Sequence, residues 1–170
     1  MVLVLFTITA ISALLVALVQ NMTKEAIENA NIQAKNIAKF KVLNTSEDEA
    51  VVTSDTTRLI GDFAITVSTV KRLADDTTIG YAVEAPSITK SGYADRITLM
   101  VGFAEEDGKC MVQGVEVLSQ KETPGLGANM TKKGNSLERS IVGKDASMVE
   151  FSVSKEGGSF DALTGSTISS

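Results

Sequence analysis

Histidine and tryptophan are absent from the 170-residue chain, cysteine occurs once, and no run of Lys and Arg is longer than two. Without histidine and with Cys110 alone, the chain cannot build a Cys/His zinc site, a haem attachment through paired cysteines, or Ser-His-Asp and Cys-His nucleophilic machinery. No catalytic residue and no metal ligand is assigned. Cys110 cannot form an internal disulfide, and in a strand it is expected to pack as a small buried hydrophobe. The formal charge of −5 and the lack of a basic cluster argue against a nucleic-acid partner, because phosphate binding is driven by grouped Lys and Arg.

What the chain does have is a long uncharged start. "MVLVLFTITAISALLVALVQ", residues 1–20, carries no charged side chain. At ~1.5 Å per residue such a run gives roughly 28 Å of helix, close to a bilayer core of ~30 Å. Thr7, Thr9 and Ser12 do not spoil a span, since a hydroxyl can bond back to a carbonyl one turn earlier. A cleavable signal peptide would want a basic leader and a small-residue cleavage site, which are not evident. Residues 1–22 therefore read as a transmembrane anchor in contact with lipid. Lys24, Lys35, Lys39 and Lys41 come after the span. The positive-inside tendency would place the soluble part in the cytoplasm.

Residues 23–45 read as an amphipathic linker helix, with Ala26, Ile27, Ala30, Ala34, Ile37 and Ala38 on one stripe expected to pack on the next domain or to lie along the membrane surface. The domain itself occupies residues 46–170. Residues 44–57, "NTSEDEAVVTSDTT", read as an exposed connection with a brief strand at 50–53. Strands are expected at 63–70, 79–84, 96–104, 110–118 and around 148–154, with a short helix at 137–142. The strands on either side of "EEDGK" form a hairpin, because Asp107-Gly108 supplies the positive-φ pair of a tight turn. Few helices and several antiparallel strands give an α+β class: one N-terminal transmembrane helix followed by an antiparallel-sheet domain.

Two stretches can carry chemistry. In "ETPGLG", residues 122–127, Thr-Pro-Gly-Leu makes a type II turn. That turn does not require Gly127, and two glycines around Leu126 let main-chain amides approach a flat ligand while the leucine lies on its face. Glu122 and Thr123 would add polar contacts at the edge. "DALTGST", residues 161–167, is by itself a turn or a helix start with Thr167 as N-cap.

Taken together and in this order after an anchor, the two stretches resemble the FMN-binding subunits of redox-driven ion pumps: the G subunit of the Rnf ferredoxin:NAD oxidoreductase and the C subunit of the sodium-translocating NADH:quinone reductase. The acceptor signature of that family, Asp-x-x-(Ser/Thr)-Gly-(Ala/Ser)-Thr, is matched by Asp161, Thr164, Gly165, Ser166 and Thr167. The resemblance also takes in "SGYADRITLMVGFAEEDGKCMVQGVEVL", residues 91–118. The compact length is closer to the Rnf protein. Ser166 stands where alanine is commoner, and members of the family usually continue past the motif into another helix, whereas this sequence stops at Ser170.

The resemblance implies FMN held as a phosphoester on Thr167, placed there by a separate flavin transferase that reads Asp161 and reaches the hydroxyl past the small Gly165 and Ser166. It implies ring contacts from Glu122, Thr123, Leu126 and Gly127. It implies an electron-transfer role beside other membrane and peripheral subunits of a Rnf complex, with no turnover of a free substrate by this chain alone. It also places the domain outside the cytoplasm, against the lysine count, and the family is followed on that point. The alternatives are the C subunit of the quinone reductase and a membrane-tethered binding or scaffold module without redox function.

Overall fold

The computed structural model describes residues 2–61, 63–86, 97–120 and 130–148. The chain divides into two compact units, Met1–Asn36 and Ile37–Ser170.

The first unit is helical. Helix α1, Val2–Lys41, runs for 40 residues without a break, about 60 Å at ~1.5 Å per residue. By length and composition it is long and apolar enough to cross a membrane. Its large apolar side chains from Val2 to Val19 are exposed, as suits a helix whose solvent is lipid. The hydroxyls behave as the sequence suggests: Thr7 Oγ1 donates to the Val4 carbonyl at 2.9 Å and Thr9 Oγ1 to that of Leu5 at 3.0 Å. Ile27 and Ile37, expected on a packed stripe, are exposed, and the buried part of the helix is Ala38–Phe40.

The second unit begins with that buried last turn. α1 ends at Lys41 and the turn after it carries Asn44 at a left-handed φ of 54°, with the Thr45 amide closing back on the Phe40 carbonyl at 3.1 Å. Asparagine tolerates this conformation at a helix C-terminus better than most side chains. Five antiparallel strands follow: β1 Ala50–Ile60, β2 Phe63–Arg72, β3 Thr78–Pro86, β4 Ile97–Glu106 and β5 Lys109–Gln120. They pair in chain order as a meander. The β4–β5 turn carries Asp107 and Gly108 at φ 54° and 73°, the positive-φ pair expected of a type I′ hairpin.

One row of small residues crosses the sheet. Ser68 pairs with Ala82, Ala82 with Gly102, and Gly102 with Gly114. The chain leaving α1 lies on this row. A Cβ at Gly102 would run into the Val42 carbonyl, one at Gly114 would sit 2.8 Å from it, and one at Gly80 would meet the Phe103 carbonyl and Leu43. Around this contact Ala38, Phe40, Val42, Leu43, Ala50, Val70, Ala82 and Met100 form the core. Each fully buried Val or Met in such a core contributes about 1.5–3 kcal/mol.

Polar ties hold the same segment at its flanks. Lys39, only 8% exposed, donates to both oxygens of Asp55 at 3.0 Å. Lys41 pairs with Glu116, and the Asn44 amide reaches the Gln113 carbonyl at 3.4 Å. The fully buried Ser68 hydroxyl also bonds Asp55 and is the main reason its carboxyl lies below the ordinary range; Lys39 adds to this against partial desolvation.

Two expectations are corrected. β1 is an eleven-residue strand, not a brief one inside an exposed connection. Its sequence conceals it because β1 is an edge strand that past Val52 is exposed on both faces, so no apolar alternation marks it there. Hydroxyl pairs join it to β2 instead, Thr57 with Thr66 at 3.0 Å and Ser54 with Thr69 at 3.2 Å. Cys110 is exposed, not buried. It stands beside the β4–β5 turn opposite Glu105, where the sheet runs out into solvent.

Gly102→Ala is expected to cost about 3 kcal/mol or more, the upper end for overpacking, because backbone faces the new methyl group; a thermal melt of the purified protein reads this loss. Asp55→Asn is expected to cost about 1–2 kcal/mol through the orphaned Lys39 ammonium. The lowered Asp55 carboxyl stabilises the fold above its unfolded value, and that contribution disappears as pH falls through the folded one. Asp55→Asn should therefore flatten the acid limb of stability against pH, most visibly below about pH 4.

Candidate functional site

The described residues that flank the two sequence motifs have defined places on the sheet. β4 starts and β5 finishes at the same end of the sheet, where Ile97 pairs with Gln120 and Thr98 with Ser119. Pro86, the last residue of β3, pairs with Thr98 and stops there too. Residues 121–129 leave this end at Gln120 and the chain returns at Met130. Met130 is buried on Ile97, with Leu99 and Val117 packed against them, as a second small core.

From Met130 the chain passes into helix α2, Ser136–Ile141. Asn135 caps it, its Oδ1 accepting the Glu138 amide at 2.9 Å, while its Nδ2 donates to the carbonyls of Met130 and Lys132, both at 2.9 Å. The Glu138 carboxylate in turn accepts the Gly134 amide, the reciprocal arrangement of a capping box shifted by one residue.

Beyond α2 the chain turns back along the open edge of β5. Gly143 and Lys144 exchange backbone bonds with Val112 at 2.8 and 2.9 Å, the Ala146 amide donates to the Cys110 carbonyl at 2.7 Å, and Asp145 bridges Met111. Asp145 is held below the ordinary carboxylate range, first by the Ser147 hydroxyl at 2.7 Å and then by the Ser147 amide at 3.0 Å. The described chain thus finishes near the β4–β5 turn, at the opposite end of the sheet from Gln120.

Glu122, Thr123, Leu126 and Gly127 fall within residues 121–129, and Asp161, Thr164, Gly165, Ser166 and Thr167 within residues 149–170; both stretches lie outside the described residues. The strand expected around 148–154 lies there too, apart from Met148, which is in a turn. Sequence reasoning missed Met130, which is buried, and Asn135, which is half-buried and bonds the Met130 carbonyl. The signal that could have found them was Asn135 followed by Glu138, the polar pair that opens a helix.

Among the described residues no group of three His, Cys, Asp or Glu could hold a metal ion. A surface depression of about 690 Å³ lined by Leu43, Asn44, Arg72, Leu73 and Ile79 lies where β2 ends and β3 begins. It belongs to the end of the sheet opposite Gln120, a strand length of ~27 Å away along β3.

Comparison with known proteins assigns the region. Residues 92–170 match the FMN-binding domain family, so both motifs fall inside the matched part. The G subunit of the Na+-translocating ferredoxin:NAD+ oxidoreductase complex of Acetobacterium woodii is 30% identical over 99% of this chain and 82% of its own length. The G subunit of the ion-translocating oxidoreductase complex of Pseudomonas aeruginosa is 32% identical over 91% of this chain and 73% of its own. That of Aliivibrio fischeri is 40% identical over 52% of this chain and 41% of its own. With a relative at this identity along nearly the whole chain and an FMN-binding domain that takes in β4, β5 and both motifs, the chain belongs to the family of G subunits of ion-translocating oxidoreductase, or Rnf, complexes.

Proposed function

We propose that the chain is an electron-transfer subunit of a membrane-bound, ion-translocating ferredoxin:NAD oxidoreductase, carrying FMN as a phosphoester on Thr167. The observation that carries this reading is that the acceptor signature Asp161, Thr164, Gly165, Ser166 and Thr167 and the 122–127 stretch both lie inside the residues that match an FMN-binding domain.

The residue types suit the attachment. A threonine hydroxyl is a poor nucleophile at neutral pH, and a chain without histidine offers it no imidazole base, so a separate transferase makes the ester. Transfer from FAD would join the Thr167 oxygen to the FMN phosphorus and break the pyrophosphate, with AMP as leaving group and the hydroxyl proton passing to its phosphate. Gly165 and Ser166 keep the approach to that oxygen open, and Asp161 belongs to the sequence that the transferase reads. A tether replaces a dissociation equilibrium by a high effective concentration, so the cofactor stays with the subunit through every turnover. When bound, FMN supplies one- and two-electron redox chemistry; the protein orients it and tunes it. Glu122, Thr123, Leu126 and Gly127 are the residues for that second task.

Chain length allows the two motifs to serve one cofactor. Cys110, where the described chain finishes its run along β5, is ten residues from Gln120, or about 34 Å at ~3.4 Å per residue. A chain of the length of residues 149–167 spans at most about 60 Å at ~3.3 Å per residue, more than the distance from there to Gln120.

The partners in this reading are the other membrane and peripheral subunits, the flavin transferase and the lipid around α1, with the soluble domain on the extracytoplasmic side. Among these, α1 supports single-pass anchoring most directly.

Protein made in cells that possess the transferase should give a denatured gel band with flavin fluorescence, lost completely in Thr167→Ala. An intact mass equal to the bare polypeptide would overturn the assignment. Sidedness can be read at Cys110, the single and exposed thiol: a membrane-impermeant maleimide should label it in cells whose inner membrane is intact. Labelling that appears only after that membrane is broken would place the domain in the cytoplasm.

A further inference from the structure

We propose that the tip of the β1–β2 hairpin enters the surface of the bilayer that α1 spans, with Leu59 and Ile60 as its lipid contacts. The inference rests on α1 as a membrane anchor and takes nothing from the ester at Thr167.

Toward this end of the sheet, Thr66 with Glu84 is the final rung between β2 and β3. β1 and β2 continue as a pair for three further rungs, Arg58 with Ile65, Leu59 with Ala64 and Ile60 with Phe63. That makes a ribbon of about 10 Å at ~3.4 Å per residue. At its end Leu59 is 75% exposed and Ile60 58%, in a strand whose other side chains past Val52 are Thr, Ser, Asp and Arg. The turns at the opposite end of the sheet are polar, with Asp75 and Asp76 between β2 and β3 and Asp107 between β4 and β5. A single exposed aliphatic side chain needs no explanation. Two in succession at a projecting tip leave an apolar end that the fold does not cover.

Their order says what covers them. Successive strand residues point to opposite faces, so a protein that docks on one face of the ribbon buries Leu59 or Ile60 and leaves the other in water. A medium that surrounds the tip buries both, and the interfacial layer of a bilayer is such a medium. Charge agrees. The sequence of the tip has one cation and one anion, Arg58 and Asp62. The opposite end carries Glu47, Asp48 and Glu49 ahead of β1 and Glu105, Glu106 and Asp107 at the β4–β5 turn, against Lys109 and Lys144; Lys71 and Arg72 are matched there by Asp76 and Asp75. An anionic lipid surface repels the acidic end and admits the neutral one. Two aliphatic side chains would not hold a free protein on a bilayer, where even one myristoyl chain binds marginally. They suffice for a domain tethered through α1, because the tether supplies a high effective concentration.

The test uses the full chain with Cys110→Ser, reconstituted in vesicles of phosphatidylethanolamine and phosphatidylglycerol. Ile60→Cys, labelled with an environment-sensitive fluorophore, should shift its emission to the blue and be quenched by nitroxide-bearing lipid. Leu59→Cys reads the other face of the ribbon and should give the same result, whereas Asp48→Cys, at the opposite end, should show neither effect. Leu59→Asp added to Ile60→Cys should abolish both signals and leave the melting temperature as before, since the side chain it replaces is exposed. Tip probes quenched no more than the Asp48→Cys probe, in chain that resists alkaline extraction, would overturn the inference alone. Quenching at only one of the two tip positions would overturn it as well, because cover on a single face is the mark of a protein partner. Chain that alkaline extraction strips from the vesicles would overturn the anchor reading and this inference with it.

Discussion

The sheet unit depends on one steric condition: the backbone of Val42 must lie directly on β4 and β5. Gly102 and Gly114 meet that condition by having no side chain, and Ser68 and Ala82 continue the shallow row outward. Because the segment sits so low, Val70 and Met100 pack with it in one buried cluster. The same depth brings Lys39 down to Asp55 and Lys41 to Glu116. A buried ammonium is costly unless paired, so the Lys39–Asp55 pair follows from the close approach and does not create it. The order of causes is small side chains first, apolar filling second, charge pairing last.

Much of this is legible in the sequence, and the rest is hidden for physical reasons. The uncharged start and the Asp107-Gly108 turn announce themselves because each has one strong local cause, hydropathy in the first case and positive φ in the second. β1 is concealed because past Val52 both of its faces are in solvent and need no alternation; its Thr and Ser side chains pair across strands but read as loop. Gly80, Gly102 and Gly114 look like interruptions in strands when taken one at a time. Their meaning appears only when the register puts two of them opposite each other under a third piece of chain. Cys110 defeats its residue type, because nearness to a turn decides its exposure. The flavin motifs are legible by resemblance alone. Turn chemistry explains their glycines equally well, and neither Met130 nor Asn135 carries a mark beyond an ordinary apolar residue and an ordinary cap.

Membership of the Rnf G family gives these features different tasks. The FMN-binding match begins just before β4. α1 and β1 to β3 lie ahead of it, and they supply the anchor, the segment that lies on the glycine row and most of the core. The flavin-bearing part therefore draws much of its stability from chain outside its own boundary. A fragment cut at that boundary would expose Met100 and the glycine row.

The meander has a consequence for the order of events during synthesis. Every strand pairs with its neighbour in sequence, so each addition closes only a short loop, the wiring that favours rapid folding. Among the described residues the five-strand register is complete at Gln120. The whole register can therefore assemble while the ribosome is still delivering the remainder of the polypeptide.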